Sequence, residues 1–266
     1  MARQIEVFRD RLPLVASCRV HPVEGLMPEH LIAAAENLSP ETSGVGVLAT
    51  DHPRIREMLK DLADTGTRVV TIASDIPSIQ RAANVEVDNV AAGRVAGLLM
   101  GRLVPRDRTG ICVFMGSRRY RGHEERDLGF RSILQEEFPA LQISGAVEVF
   151  DARSEGRDMA CRVLKSTPDL AGIYCVGGGR AGVAEALTQA GRQDDLVFIC
   201  HDQTSEMRQY LLDGTVDAVI DQNAVLVADQ SVIALLGSIV SLVPSLMRKF
   251  IEPRIIFKEN IPVQGV

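Results

Sequence analysis

The chain has 266 residues, of which 46% are apolar and 24% charged, a composition typical of a soluble globular protein with one large domain or two smaller ones. Its formal net charge of −6 argues against a protein that binds nucleic acid with its own surface, because neutralising phosphates requires clustered lysine and arginine. The N-terminal segment MARQIEVFRDRLP has no apolar core, so no signal peptide is expected.

Short β-branched runs alternate with amphipathic stretches along most of the chain. The first half reads LPLVASCRV then MPEHLIAAAENL, GVGVLAT then PRIREMLKDLADTG, and RVVTIAS then NVEV and NVAAGRVAGLLMGRL. The second half reads GICVFMG then EERDLGFRSILQEEF, ISGAVEVF then EGRDMACRVLKS, GIYCVG then RAGVAEALTQAG, LVFIC then TSEMRQYLLDG, and finally VDAVIDQ. Apolar strands separated by helices of about 10 to 15 residues predict an α/β protein with parallel sheets covered on both faces.

Glycines and polar residues mark the ends of these elements. Gly66, Gly191 and Gly214 each close a predicted helix, where a left-handed C-cap is favoured. Because ligands of open parallel sheets bind outside the carboxyl ends of the strands, the residues directly after each strand are the first candidates for a site. These are Thr50 to His52, Ser74-Asp75, Asp88-Asn89, Gly116 to Arg118, Gly177 to Gly179, His201-Asp202 and Asp221-Gln222.

The cysteines predict a reducing environment. Among the five, Cys112, Cys175 and Cys200 lie within apolar runs, which is typical of free thiols in the cytoplasm rather than of a disulfide framework or a metal site. We therefore expect a cytoplasmic protein.

One uncharged segment, VIALLGSIVSLVPSLM at residues 232–247, could be mistaken for a membrane span. It is shorter than the roughly 20 residues that cross a bilayer, and it contains serines and a proline. A buried helix followed by a turn is predicted instead, with no membrane partner.

The segment GGGRAG at residues 177–182 matches the G-x-G-x-x-G pattern of dinucleotide sites, and Asp202 ends the next strand. Too few strands follow it to complete a dinucleotide fold, so a tight strand-to-helix turn is the favoured interpretation. The consecutive residues Cys200, His201 and Asp202 alternate in direction along a strand and cannot converge as a catalytic triad. We therefore expect no enzyme activity and no cofactor, with His201 or Asp202 offering hydrogen bonds to a polar ligand.

Metal binding is also disfavoured. His123 with Glu124 and Glu125, and Asp51 with His52, lack the i, i+4 spacing that lets two side chains of one helix share a metal ion. No metal site is predicted.

The segment YRGHEERDLGF concentrates charge before a Gly-Phe step. If a helix begins near His123, Glu124 and Glu125 lie in its first turn, where acids complement the helix dipole. Arg126 opposes that dipole, so an acidic partner or an oxygen-rich ligand should favour it, and its guanidinium can clamp two hydroxyls or a carboxylate. An exposed Arg126 that pairs with the acid on either side of it is the alternative.

Five motifs in this order resemble the effector-binding domain of LacI-type transcriptional regulators: VEVDNVAAGRVAGLL, GSRRYRGHEERDLGF, GIYCVGGGRAGVAEAL, FICHDQTSEMRQYLLDGTVDAVIDQ and PRIIFKENIP. That domain is similar in fold to periplasmic sugar-binding proteins. The resemblance implies a two-lobed α/β fold of the type I class, each lobe a doubly wound parallel sheet, with the ligand cleft between the lobes. The N-terminal lobe would comprise residues 1–103 plus 224–251, and the C-terminal lobe 104–223 plus 252–266.

By motif position, the resemblance implies that Asp88, Arg126, Asp202 and Gln222 contact the ligand. Aspartate, arginine and glutamine side chains supply the paired donors and acceptors that a sugar needs. Arg126→Ala is expected to abolish stabilisation by ligand while the unliganded protein melts close to the wild type.

The chain departs from the LacI-type pattern at two places near these residues. Gly177 and Gly178 stand where many members carry an Asn-Asp pair, so one usual contact is lost at Gly177. Tyr120, His123 and His201 are further candidates for ligand contacts, and the two histidines suggest a more acidic ligand.

The resemblance also implies parts that this sequence lacks: a DNA-binding head, the first strand of the N-terminal lobe and most of its first helix. The first strand is central in the order 2-1-3-4-5, so its loss predicts an N-terminally shortened chain or a partner segment that fills the gap. A central strand contributed by residues 1–12 would contradict that prediction.

The expected function is effector sensing by a transcriptional repressor. A sugar, polyol or sugar acid would shift the balance between two lobe arrangements, and a homodimer would transmit the shift to DNA through a segment outside this sequence. The alternatives are a solute-binding receptor of a sugar transport system and an enzyme that binds a dinucleotide through GGGRAG.

Overall fold

The structure, a computed structural model, describes residues 17–23, 25, 27–240 and 251–262. Its helices are α1 (Pro28–Glu36), α2 (Pro53–Asp64), α3 (Asn89–Leu103), α4 (Arg121–Glu137), α5 (Arg153–Ser166), α6 (Arg180–Ala190), α7 (Ser205–Leu212) and α8 (Ala224–Ile239). Its strands are β1 (Gly44–Val47), β2 (Arg68–Ile72), β3 (Ala83–Val85), β4 (Gly110–Met115), β5 (Gln142–Glu148), β6 (Leu170–Cys175), β7 (Val197–His201), β8 (Ala218–Asp221) and β9 (Arg254–Ile256). The alternation of strands and helices follows the sequence prediction.

The chain divides into two compact units, and the first contains the described residues of Met1–Val87, Arg119–Gly122 and Asn223–Glu252. Its parallel sheet has the strand order β1-β2-β3. Successive residues of β2 point to opposite faces: Val69 packs with residues of α2, and Val70 packs with residues of α8. Helices therefore cover both faces of this sheet.

The second unit contains the described residues of Asp88–Arg118, His123–Gln222 and Pro253–Val266. Its sheet has the order β5-β4-β6-β7-β8-β9, with every strand pair parallel except the antiparallel pair β8-β9. One apolar cluster joins the sheet to α3 and α4, and another joins the opposite face to α5, α6 and α7. The strands β4 and β6 are buried along their whole length, as their continuous apolar runs predicted.

The helix α3 belongs to the second unit, whereas the sequence had placed residues 89–103 in the N-terminal lobe. The reason is backbone packing between α3 and α4. A Cβ atom added at Gly93 would lie 2.0 Å from the carbonyl oxygen of Arg126, and one at Gly97 would lie 2.9 Å from that of Phe130. Only glycine allows the two helices to approach so closely, so α3 is fixed against α4.

Several other predictions concern the ends of elements. Gly66, Gly191 and Gly214 have φ values of +92°, +63° and +79°, which confirms the three predicted helix ends. The predicted strand LPLVASCRV is not formed in its described part, because residues 17–23 carry no strand. The prediction that residues 1–12 do not supply a first strand concerns residues that lie outside the described part of the chain.

The uncharged segment 232–247 begins inside α8, as predicted for a buried helix, and its residues 241–247 lie outside the described part of the chain. Among the described residues, no helix is both long and apolar enough to cross a membrane.

Candidate functional site

The carboxyl ends of the strands in the second unit carry an unusual backbone. Phe150 and Asp151 follow β5 with φ values of +49° and +58°, and Asp202 follows β7 with φ of +63°. A left-handed conformation costs a non-glycine residue on the order of 1 to 3 kcal/mol, and such residues cluster at functional sites. This sheet edge is therefore the candidate site.

Arg126 reaches this edge from α4 and is only 2% exposed. Its Nε donates a hydrogen bond to Asn89 Oδ1 at 2.8 Å, and its Nη1 donates to the carbonyl oxygen of Val176 at 2.9 Å. Nη2 has no partner among the described residues, so it can donate to a ligand. The alternative of an exposed ion pair is wrong, because the neighbouring Asp127 accepts from Arg131 instead.

Asp202 and Gln222 meet at the ends of β7 and β8. Gln222 Nε2 donates to Asp202 Oδ1 at 2.5 Å, and the other oxygen of Asp202 lies 3.7 Å from Nη1 of Arg180. Gln222 Oε1 is buried and has no hydrogen-bond partner in the described part of the chain. A buried carbonyl oxygen without a partner is costly, so this atom is suited to accept a hydrogen bond from a bound molecule.

His123 and Asp151 lie over the glycines at the ends of β4 and β6. The amide of Gly178 donates to Asp151 Oδ1 at 2.6 Å. An added Cβ at Gly116 would lie 1.9 Å from that same oxygen, and one at Gly177 would lie 2.6 Å from His123 Nε2. Glycine at positions 116, 177 and 178 thus gives the imidazole and the carboxylate direct access to the strand ends.

The GGGRAG segment forms the tight strand-to-helix turn that the sequence favoured. Gly179 is the left-handed N-cap of α6, and Gly182 lets α6 pack on α5, since an added Cβ would lie 1.9 Å from the carbonyl oxygen of Arg153. The amide of Gly178 already serves the carboxylate of Asp151. A dinucleotide pyrophosphate at this turn would meet that negative charge, which disfavours the dinucleotide alternative.

His201 is a buried structural residue, although the sequence offered it as a ligand contact. It is 0% exposed, and its Nε2 shares a hydrogen bond of 2.7 Å with the hydroxyl of Tyr174, whose ring stacks on Phe130. Its Nδ1 is buried with no partner among the described residues. Burial also lowers the pKa of His201 well below its usual value.

Asp88 and Tyr120 are the two other candidates from the sequence. The carboxylate of Asp88 is exposed and caps α3 by accepting from the amide of Ala91 at 2.8 Å, while the adjacent Asn89 turns inward to Arg126. Tyr120 groups with the first unit. The structure therefore places His123, Arg126, Gly177, Asp202 and Gln222 at one sheet edge of the second unit, and the role of Asp88 and Tyr120 as ligand contacts stays a prediction.

Three residues at this sheet edge were not among the sequence candidates: Phe150, Asp151 and Arg180. Asn89 was a candidate as a residue that follows a strand, but the sequence favoured Asp88 beside it as the ligand contact. Phe150 directly precedes Asp151 and is 61% exposed. Phe150 is the last residue of the predicted strand ISGAVEVF and Asp151 directly follows it, so the carboxyl end of this strand was a sequence signal for both residues.

No metal site is evident in the part of the chain that the structure describes. No group of three or more histidine, cysteine, aspartate or glutamate side chains there could hold a metal ion.

The lowered pKa of His123 predicts how the stability of the protein depends on pH. Burial first, and the Arg126 guanidinium second, lower the pKa of His123 to about 4. The unfolded chain takes up this proton near pH 6.5 and the folded chain does not, so stability falls as the pH drops below that value, by about 1 kcal/mol between pH 7 and 5.5. His201 acts in the same direction.

Urea denaturation at the two pH values measures this loss. The variant His123→Asn should show a smaller loss, and His30→Ala, which changes an exposed histidine of α1, should behave as the wild type. An unfolding free energy that is the same at both pH values would contradict the neutral, buried state of the two histidines.

Two units with helix-covered sheets of parallel strands, and a polar site at the carboxyl ends of the strands of one of them, define a two-lobed α/β ligand-binding protein. Residues 29–237 match the family of periplasmic binding protein domains, and the chain belongs to that family. This confirms the fold class predicted from the sequence. A comparison with curated protein sequences found no match.

Three solved structures illustrate the likeness. GanP, a glucose-galactose binding protein from Geobacillus stearothermophilus, is 22% identical over 98% of this chain and 94% of GanP, with a TM-score of 0.87. A Bacteroides fragilis protein described as a LacI transcriptional regulator is 21% identical over 97% of this chain and 91% of its own, with a TM-score of 0.85. An Agrobacterium vitis ABC transporter solute-binding protein with bound D-fucose is 21% identical over 97% and 91%, with a TM-score of 0.82. At these identities the likeness shows the fold.

Proposed function

We propose that this chain is the effector-sensing domain of a LacI-type transcriptional repressor, and that its effector is a sugar, polyol or sugar acid. The observation that carries the proposal is the set of polar atoms at the strand ends of the second unit. Arg126 Nη2 can donate, while Gln222 Oε1 and the carboxylate of Asp151 can accept. Hydroxyl groups both donate and accept, so a polyhydroxylated molecule suits this set.

Two further observations support a sugar ligand. Phe150, the residue before Asp151, is exposed, and an aromatic ring suits the apolar face of a sugar ring. The similar Agrobacterium vitis protein carries D-fucose.

The cysteines support a regulator in the cytoplasm. All five are free, and Cys112, Cys175 and Cys200 are buried. Burial raises the pKa of the Cys112 thiol to about 11, which keeps it protonated and unreactive at neutral pH. Free buried thiols are typical of proteins kept in a reducing compartment.

A repressor also needs a route to DNA. The net charge of −6 disfavours DNA contact through this domain, so we propose that another segment binds DNA and that a homodimer transmits the effect of the ligand. Ligand binding would act by shifting the population between two conformations.

The second candidate function is a solute-binding receptor of a sugar transport system. It is favoured by the likeness to GanP and to the Agrobacterium vitis transporter protein. Sedimentation of the purified chain separates the two proposals: a homodimer whose equilibrium responds to ligand supports the repressor, and a monomer at all concentrations supports the receptor.

Ligand binding itself is tested by thermal-shift measurements against sugars, polyols and sugar acids. A ligand that binds only the folded state, present at 100 times its dissociation constant, adds about 2.7 kcal/mol of stability. For a chain of this size that corresponds to roughly 5 to 10 °C in melting temperature. If no member of the three classes raises the melting temperature, the proposed ligand class is wrong.

A further inference from the structure

His123 occupies the space that a side chain at position 177 would need. A Cβ atom added at Gly177 would lie 2.5 Å from Cε1 and 2.6 Å from Nε2 of the imidazole, and one at Gly116 would lie 2.8 Å from Cε1. All three distances are shorter than atoms of this kind can tolerate. The imidazole and a side chain at position 177 therefore exclude each other.

The backbone holds this imidazole in one orientation. Its Nδ1 lies 3.2 Å from the amide nitrogen and 3.1 Å from the carbonyl oxygen of Ser117, directly after β4. The opposite edge of the ring, Cε1 and Nε2, faces Gly177 directly after Val176, whose carbonyl oxygen accepts from Arg126. The polar side chain at the end of β6 is therefore that of His123 in α4, and not one from the residues that follow the strand.

The charges at this strand edge favour a neutral ligand. With its pKa lowered to about 4, His123 carries no charge at neutral pH and cannot neutralise an anion. Asp151 and Asp202 would repel an added carboxylate, and the guanidinium of Arg180 already lies 3.7 Å from Asp202. Hydroxyl groups, in contrast, can donate to these carboxylates and to Gln222 Oε1.

We propose that His123 is a specificity-determining residue of this site, because its imidazole takes the place of a side chain at position 177, and that the carboxylates of Asp151 and Asp202 select a neutral, hydroxyl-rich ligand over the corresponding acid. This inference rests on the proposed function and narrows its ligand class. It replaces the prediction, made from the two histidines in the sequence, of a more acidic ligand.

The steric part is tested without any ligand. Gly177→Asn should lower the melting temperature by about 5 °C, because the new side chain overlaps the imidazole. In His123→Ala/Gly177→Asn most of this loss should be recovered, because the ring is gone. His30→Ala, in α1, is the control and should leave the melting temperature unchanged. If Gly177→Asn is as stable as the wild type, or if His123→Ala brings no recovery, the pairing of the two positions is refuted.

The selectivity part is tested by titration calorimetry with neutral sugars and the uronic acids derived from them. The wild type should bind the neutral member of its best pair at least roughly tenfold more tightly, which corresponds to about 1.4 kcal/mol. Asp151→Asn should reduce that ratio, because one repelling carboxylate is gone, and His123→Ala should change the ranking among the neutral sugars, because the imidazole beside Gly177 is lost. A ratio that is the same in the wild type and in Asp151→Asn, a ranking of neutral sugars that is the same in the wild type and in His123→Ala, or a wild type that prefers the acid overturns the proposal.

The two sets of measurements separate a failure of this proposal from a failure of the proposed function on which it rests. If the wild type binds no sugar and no acid, the proposed function fails, and the assigned selectivity fails with it, even where the stability measurements confirm the pairing. If the wild type binds a sugar and His123→Ala binds the panel identically, the proposed function stands and His123 does not determine specificity.

Discussion

Replacing Arg126 with alanine is expected to abolish stabilisation by ligand and to lower the free energy of unfolding by about 2 to 4 kcal/mol. The guanidinium is buried and donates to Asn89 Oδ1 and to the carbonyl oxygen of Val176, so alanine leaves both acceptors unpaired inside the protein. The sequence had predicted an unliganded protein that melts close to the wild type, and the burial of this side chain changes that expectation. Urea denaturation measures the loss of stability, and thermal shift with the best ligand measures the loss of binding.

Arg131 provides the matched control on the same helix. Its side chain is partly exposed and pairs with Asp127 at 2.8 Å. Arg131→Ala should cost about 1 to 2 kcal/mol, because the carboxylate of Asp127 is only 8% exposed and loses this partner, and it should leave the ligand-induced shift intact. If Arg126→Ala keeps the full ligand-induced shift, Arg126 does not contact the ligand and the site is misassigned.

Gly93→Ala is expected to destabilise the second unit by about 3 kcal/mol or more, because overpacking against backbone cannot be relieved by a rotamer change. The new methyl group would lie 2.0 Å from the carbonyl oxygen of Arg126, so α3 and α4 would have to separate. The same movement would draw Asn89 away from the guanidinium of Arg126. We therefore expect weaker ligand binding as well, measured by titration of whatever fraction remains folded.

The control for Gly93→Ala is Gly191→Ala at the end of α6. Gly191 has φ of +63° and no atom within 4 Å of an added Cβ, so alanine there meets only conformational strain. That strain should cost about 1 to 2 kcal/mol. Equal losses in the two variants would show that close packing of α3 on α4 contributes little to stability.

The fold could be predicted from the sequence because its signals are local. The buried strands β4 and β6 are continuous apolar runs, and left-handed glycines end several helices, so both features can be recognised without tertiary information. The membership of α3 in the second unit could not be predicted in this way. It depends on contacts between Gly93 and a residue far along the chain.

The candidate site shows the same limit at the level of single residues. Asp88 and Asn89 are adjacent, and the sequence favoured the acid, yet the helix start turns the carboxylate to the α3 amides and the amide side chain to Arg126. Strand alternation correctly placed His201 and Asp202 on opposite sides, but only the packing of Tyr174 shows that His201 lies on the buried side. Arg126, Asp202 and Gln222 are brought near the same sheet edge in the second unit, and their role as ligand contacts stays a prediction.

The left-handed residues at the strand ends have a consequence for binding thermodynamics. The carboxylate of Asp151 is held by the amide of Gly178, and that of Asp202 by the side chain of Gln222, so both acceptors are oriented by the fold itself. Their conformational entropy is lost during folding and need not be lost again when a ligand arrives. Affinity for the ligand is thereby increased at the expense of the stability of the protein.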